Sequence, residues 1–205
     1  MGRKRRLWDP RYFDHVVMRG NNRQDIFKTE ADVREYIRVL HYVYMKYPFQ
    51  LIAYYIMTNH YHLLIKSPEV PLGKVMGLIN RRYTDYYKKK YNYSGYLYDR
   101  RYFAAQVNKP EALLKVSRYI HRNPIETVVP MVTRMEDYSA SSFQFYKGDK
   151  PSPYEFLNLS ILPSILTSSY MNNERKYCHY CEEEVDESRD ISITDYVEKE
   201  DYITQ

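Results

Sequence analysis

Two histidines one residue apart, His60 and His62, are the first residues here whose types and spacing suit chemistry. They sit in a β-prone run, residues 51–66, rich in Leu, Ile and Tyr. Successive strand side chains point to opposite faces, so His60 and His62 project together and Tyr61 points away. Two imidazoles fixed side by side supply two-thirds of a simple metal site. The same pair reads equally as two partly buried structural histidines, because it is short of a full ligand set. A second group lies downstream in residues 112–124. Leu113, Val116 and Ile120 recur at spacings of three and four, which predicts a helix, with Pro110 as its start signal and Pro124 as its stop. Tyr119 and Asn123 are four apart and share a face of it. A phenol and an amide oxygen side by side can serve as nucleophile and metal ligand. Equally, Tyr119 can pack in a core and Asn123 can cap the helix end.

The elements that must carry these residues follow the order β-α-β-β-α-β-α. Tyr12 to Arg19 reads as a first strand, and Gly20-Asn21-Asn22 as a turn. Thr29 caps a helix running to about Lys46, with Glu30 and Asp32 at its positive end. Phe49 to Ile56 and His60 to Ile65 form an antiparallel pair around Met57-Thr58-Asn59. Pro71 opens a second long helix that runs to about Tyr91, Arg101 to Val107 is a fourth strand, and the Tyr119 helix follows. Strands with helices returning between them predict an α+β fold, a ferredoxin-like antiparallel sheet with helices on one or both faces. The nucleophile candidate then lies on a helix after the last core strand. The sequence divides into 1–146 as the main domain, 147–170 as an apolar extension around Ile161 to Leu166, and 171–205 as an acidic, flexible tail.

Charge is uneven along the 205 residues. Residues 171–205 hold eleven acidic and four basic residues, net −7; the whole chain is +5, so residues 1–170 carry +12. A body this basic attracts a polyanion. Arg3, Lys4, Arg5 and Arg6 form a basic arm. Arg81 and Arg82, with Lys88 to Lys90, interleave with Tyr83, Tyr86 and Tyr87. Cations that hold phosphates beside rings that stack on bases suit single-stranded nucleic acid; an amphipathic helix with half-buried tyrosines gives the same pattern. The two cysteines, Cys178 and Cys181, exclude a disulfide-rich scaffold and fall short of a structural zinc site. No apolar run approaches a membrane span, and no secretory signal is visible.

His60-Tyr61-His62 after Met57-Thr58-Asn59 resembles the histidine–hydrophobic–histidine motif of the HUH nucleases. Tyr119-Ile120-His121-Arg122-Asn123-Pro124 resembles the tyrosine helix of the small single-tyrosine transposases. The order and spacing over residues 5–146, including residues 12–21, 95–102 and 137–143, are similar to the REP-associated tyrosine transposases. Relatives usually carry tryptophan where this chain has Ala140. The resemblance implies the ferredoxin-like fold with His60 and His62 on a central strand. It implies a bacterial, cytoplasmic, metal-dependent single-stranded DNA endonuclease and strand transferase acting at hairpin-forming repeats with a short flanking tetranucleotide. In that chemistry His60, His62 and Asn123 hold a divalent ion, magnesium or manganese, and Tyr119 attacks phosphorus to leave a 5′-phosphotyrosine and a free 3′-hydroxyl. The partner implied is single-stranded or hairpin DNA, bound by a monomer or a homodimer, and the basic residues read from the charge pattern, Arg3, Lys4, Arg5, Arg6, Arg81 and Arg82, are its expected phosphate contacts. Three alternatives remain at this level. One is a non-catalytic DNA- or RNA-binding protein derived from a transposase. Another is a metal-dependent hydrolase that uses the histidines with water. A third places the nucleophile on Tyr83, Tyr86 or Tyr87.

Overall fold

Alternating strand residues build the middle of the molecule. A computed structural model of the protein describes residues 8–148, 152–166 and 173–183. In order come strand β1 (Phe13–Arg19), helix α1 (Glu30–Lys46), β2 (Gln50–Ile56), β3 (His60–Lys66), α2 (Leu72–Tyr91), β4 (Phe103–Val107) and α3 (Pro110–Glu126). Three shorter helices follow, α4 (Phe143–Lys147), α5 (Ile161–Ile165) and α6 (Asn173–Glu182). The strands form one antiparallel sheet in the order β2-β3-β1-β4, so β3 and β1 are interior. This is the ferredoxin-like α+β arrangement, with helices on both faces. Among the described residues no helix is long and apolar enough to cross a membrane.

Parity divides the sheet between two cores. Val16, Met18, Tyr61, Leu63 and Ile65 point to the layer of α1 and α2, where Val39, Leu40, Val75 and Ile79 meet them. Phe13, Ala53, Tyr55 and Leu64 point to the other layer, against Val116 and Ile120 of α3 and Phe143 of α4. Burial of both faces supplies most of the stabilisation, since a large-to-Ala change at such a site costs about 2–5 kcal/mol. Ala140 lines an open groove with Tyr54, Ile56 and Tyr138.

The turn before β3 is held by a neighbour in the sheet. Gly20 donates to the Asn59 carbonyl at 2.8 Å, and Ile26 and Phe27 both donate to the Thr58 carbonyl. A Cβ on Gly20 would lie 2.2 Å from the Gln24 carbonyl oxygen, so only glycine fits this close approach. His60 therefore starts β3 from a fixed point.

Three features differ from the sequence reading. Pro124 does not stop α3, which continues to Glu126. A proline in the last turn forfeits one backbone bond where carbonyls are already running out of partners, so the helix tolerates it. Within 171–205, residues 173–182 are not a flexible tail but α6, whose Tyr177, Cys178 and Cys181 are buried against α3 and α4. Three apolar side chains at helical spacing outweigh the acidic composition around them. The tyrosines of α2 are spent on packing rather than on bases: the Tyr83 hydroxyl donates to the Ile26 carbonyl and Tyr87 to the Asp25 carbonyl.

Those tyrosines surround Asp32, a fully buried carboxylate at the start of α1. It accepts from the backbone of Lys28 and Thr29, from Tyr86 and Tyr91, and from Lys90 at 2.6 Å. Burial alone would raise its pKa, but these bonds prevail and hold it at about 2. The stabilisation is complete above the usual carboxylate value near 3.8 and is lost as pH falls through about 2. Asp32→Ala leaves Lys90 and two phenols without their acceptor and is expected to destabilise the fold by about 3–5 kcal/mol. Urea denaturation of the two proteins at pH 7 measures this, and a difference below about 1 kcal/mol would mean the hub is dispensable.

Candidate active site

β3 delivers both histidines to the α3 side of the sheet. Their ring centroids are 5.1 Å apart and close to perpendicular. His62 is buried, and His60, at the strand's open end, is half-buried. On β1, Arg19 lies opposite His60 and Val17 opposite His62, so His15, Val17 and Arg19 share the histidines' face. His15 is fully buried, and its Nε2 lies 3.0 Å from His62 Nδ1, with the two ring planes within 20° of each other. From β2, Tyr55 lies opposite His62, with its ring 6.3 Å from both histidines.

α3 closes the site from above. The Tyr119 ring meets His62 edge-on at 5.7 Å and His15 at 6.2 Å. One turn on, the buried Asn123 donates from Nδ2 to the Tyr119 carbonyl at 2.7 Å, and its amide lowers the phenol's pKa. The outer side of α3 is pinned by α6. His121 shares hydrogen bonds with Ser142 at 2.7 Å and with the Tyr177 hydroxyl at 2.9 Å. Arg122 donates to the carbonyls of Cys181 and Glu183, and Arg118 to that of Glu183. These guanidinium groups satisfy the carbonyls left open at the end of α6.

Electrostatics keeps the imidazoles neutral and the phenol protonated. Burial, then the Arg19 charge, lowers His60 to about 4. Burial and the neighbouring His60, His15 and Arg19 hold His62 far below its ordinary value, and burial alone brings His15 to about 3. Burial pushes Tyr119 up to about 12 against the pull of Asn123 and Arg19. Neutral imidazoles are metal-ready, since a lone pair is free for coordination. Asn59 Oδ1, which can only accept, lies 2.6 Å from His60 Nδ1 and so leaves the lone pair on Nε2. Among the described residues no three His, Cys, Asp or Glu side chains converge as a ligand set. His15 turns its Nε2 to His62 Nδ1. A third protein ligand here would have to be an amide such as Asn123, whose oxygen is left after its nitrogen is engaged. This donor set fits a divalent ion with further positions open to substrate.

The sequence-predicted residues fall in three places. Tyr119 meets His62 by ring contact, His60 stands beside His62 on β3, and Asn123 lies one turn beyond Tyr119 on α3. Arg81 and Arg82 are on α2, in the opposite layer; Arg81 is exposed, and Arg82 stacks on Tyr42 with its guanidinium 3.6 Å from the ring centre. Arg3, Lys4, Arg5 and Arg6 lie outside the described residues. Tyr83, Tyr86 and Tyr87 are on α2 as well, across the sheet from the histidines. Sequence reasoning missed His15, Arg19, Tyr55 and Asn59. Parity on β1 places His15 and Arg19 together, but only the register against β3 shows what they face. It missed as well a cleft of about 680 Å³ between α2 and residues 95–102, lined by Asn80, Thr84, Lys88, Tyr96, Arg100 and Arg101 among others.

Residues 9–123 match the profile of a family described as IS200-like transposases. Among solved structures, a REP-associated tyrosine transposase bound to a REP hairpin superposes with a TM-score of 0.60 at 16% identity. That match covers 78% of this chain and 96% of the other, and it is a likeness of fold. A proposed transposase from Deinococcus radiodurans R1 gives a TM-score of 0.39 at 18% identity, covering 58% of this chain and 95% of that one. No curated protein matches the chain.

The neutral histidines set an acid limit. His15, His60, His62 and His121 all sit below the ordinary value of 6.5, while the unfolded chain protonates near it. Their contribution to stability is therefore intact above about pH 6.5 and falls as pH drops toward the folded values. The unfolded chain takes up these protons and the fold does not, so the urea midpoint is expected to fall as the pH drops below about 6.5. Urea unfolding between pH 7.5 and 4.5 measures it, and a midpoint that stays constant would show that the rings titrate normally in the fold.

Proposed function

The chain belongs to the IS200-like transposase family, and we propose that it cuts and rejoins single-stranded DNA at hairpin-forming repeats, with Tyr119 as the nucleophile. The observation that supports this best is the meeting of Tyr119 with His62 on the one sheet face that also holds His60 and Arg19, beside Asn123. Tyr83, Tyr86 and Tyr87 point into another layer, which weighs against them as nucleophiles.

The phenol oxygen of Tyr119 attacks phosphorus. The bond from phosphorus to the 3′ oxygen breaks, which gives a 5′-phosphotyrosine and a 3′-hydroxyl. The phenol proton leaves to solvent, and the departing 3′ oxygen takes one up. The phosphodiester energy is kept in the protein–DNA bond, so a second 3′-hydroxyl can reverse the step without ATP. A phenol held up at about 12 is a poor nucleophile at neutral pH, so charge around it decides the rate. Arg19 lowers the phenol's pKa and offers its cation to the phosphate. His60 and His62 would hold a divalent ion through Nε2, with the Asn123 oxygen as third ligand. Magnesium or manganese bound there would neutralise charge developing on the scissile phosphate. Imidazole prefers softer ions than magnesium, so manganese suits this donor set well. The DNA duplex would bind through phosphates along α2, at Arg81 and Arg82, and along the basic arm Arg3 to Arg6. The cleft between α2 and residues 95–102, lined by Lys88, Arg100 and Arg101, would add further cations to phosphate binding.

Incubation of a single-stranded hairpin oligonucleotide, nicked to trap the product, with manganese and protein is expected to give a covalent adduct on Tyr119. Tyr119→Phe should abolish it and leave DNA binding within about twofold, because only a hydroxyl is lost. An adduct that persists in Tyr119→Phe moves the nucleophile elsewhere, and hairpin binding without any adduct favours a non-catalytic descendant. Arg19→Ala is expected to slow adduct formation by about 10²–10³-fold.

Phosphate binding has a separate, salt-dependent signature. Replacing Arg81 and Arg82 by Ala should lower hairpin affinity. The slope of log affinity against log salt should fall by about 0.7–0.9 for each phosphate that is no longer neutralised. Filter binding between about 50 and 200 mM salt reads the slope. An unchanged slope would remove α2 from the DNA interface.

A further inference from the structure

We propose that His15 is a positioning residue that accepts the Nδ1–H of His62 and thereby leaves the Nε2 lone pair of His62 bare for a metal ion. This rests on the reading of His60 and His62 as metal ligands. The facing nitrogens, His15 Nε2 and His62 Nδ1, are 3.0 Å apart. At that distance one must donate and the other accept, because two N–H groups would collide and two lone pairs would repel. If His15 donated, the proton of His62 would sit on Nε2 and no lone pair would be left there for a metal ion. If His15 accepts, Nε2 of His62 is bare.

His60 shows which arrangement the site uses. Its Nδ1 faces Asn59 Oδ1 at 2.6 Å, an atom that can only accept, so His60 carries its proton on Nδ1 and presents Nε2. Both histidines hang from one face of β3, so the same tautomer on each gives two lone pairs on one side of the sheet. An acceptor behind Nδ1 also raises the basicity of Nε2 and fixes the ring angle. For His60 the acceptor comes from the preceding turn. His62 lies one step deeper, beside the next strand, and β1 provides His15 there. His15 is 0% exposed, its ring within 20° of the His62 plane, and set in an interior strand paired on both sides. Tyr55 and Tyr119 pack against the His62 ring as well, at 6.3 and 5.7 Å between ring centres.

The test reads the tautomer directly. In the metal-free, full-length, nitrogen-15-labelled protein, long-range proton–nitrogen NMR of the imidazoles is expected to show His62 protonated on Nδ1 and bare on Nε2. His15→Phe keeps a ring but removes the acceptor, and should shift His62 toward the other tautomer. His15→Gln places an amide oxygen near the lost Nε2 and should restore the original signature. Manganese titration without DNA, followed by electron paramagnetic resonance, is expected to weaken about 10–100-fold in His15→Phe and to recover in His15→Gln. A wild-type His62 protonated on Nε2 overturns the proposal, and that spectrum decides even if His15→Phe fails to fold. A folded His15→Phe protein that binds manganese as tightly as wild type overturns it too. A wild type with the expected tautomer that binds no manganese instead defeats the ligand reading of His60 and His62, and leaves the hydrogen-bond assignment standing.

Discussion

An interior strand covered on both faces cannot leave a polar side chain without a partner. β3 is such a strand, between β2 and β1 with helices on either side. A buried donor or acceptor left unsatisfied there costs about 1–3 kcal/mol. Each polar residue on it accordingly comes with an answer. Tyr61, on the α2 side, donates to Asn80 at 2.6 Å. On the α3 side, His60 meets Asn59 and His62 meets His15. The chemistry-bearing face is thus a closed hydrogen-bonded set within an apolar sheet. Strand register sets His15 against His62, and the turn before β3 sets Asn59 against His60. That is why histidines and a phenol from three distant segments can stand within ring contact of one another.

The opposite layer solves a different problem with similar means. α1 and α2 must stay packed although the last turn of α2 carries Lys88, Lys89 and Lys90. Asp32 gathers one of them, Lys90, with two tyrosines and two backbone amides around a single carboxylate. A carboxylate so surrounded is held by hydrogen bonds more than by charge alone. The consequence for the active face is indirect but definite. Met18, Tyr61 and Leu63 rest on this layer, so the strands that carry His15, Arg19, His60 and His62 are supported from behind.

Local patterns carried the sequence reading far, and non-local pairings set its limit. Strand parity placed His60 and His62 on one face, and helical spacing placed Tyr119 beside Asn123, because both periods are properties of the backbone. The order of elements was readable for the same reason. His15 and Arg19 were visible as alternate residues of a strand, but which strand they would face depends on register across the whole of α1 and β2. Asn59 read as a turn residue, and its bond to His60 needs the turn's conformation. The tyrosines of α2 looked like base-stacking groups because interleaved charge and aromatic character does not say which side is inside. α6 was hidden by composition: three buried side chains within an acidic stretch decide its fate, and averaging over the stretch erases them. Pro124 misled because a proline rule written for helix interiors weakens in a last turn.

The attachment of α3 has a mechanical side. The helix is gripped on one flank by the sheet and on the other by α6, through the His121–Tyr177 bond and the two arginines that hold the α6 carbonyls. Sliding or rolling α3 as a unit would break all of these together. Tyr119 is therefore carried on a backbone held from both flanks, and a load applied to that backbone would be shared between the sheet and, through two guanidinium groups, α6.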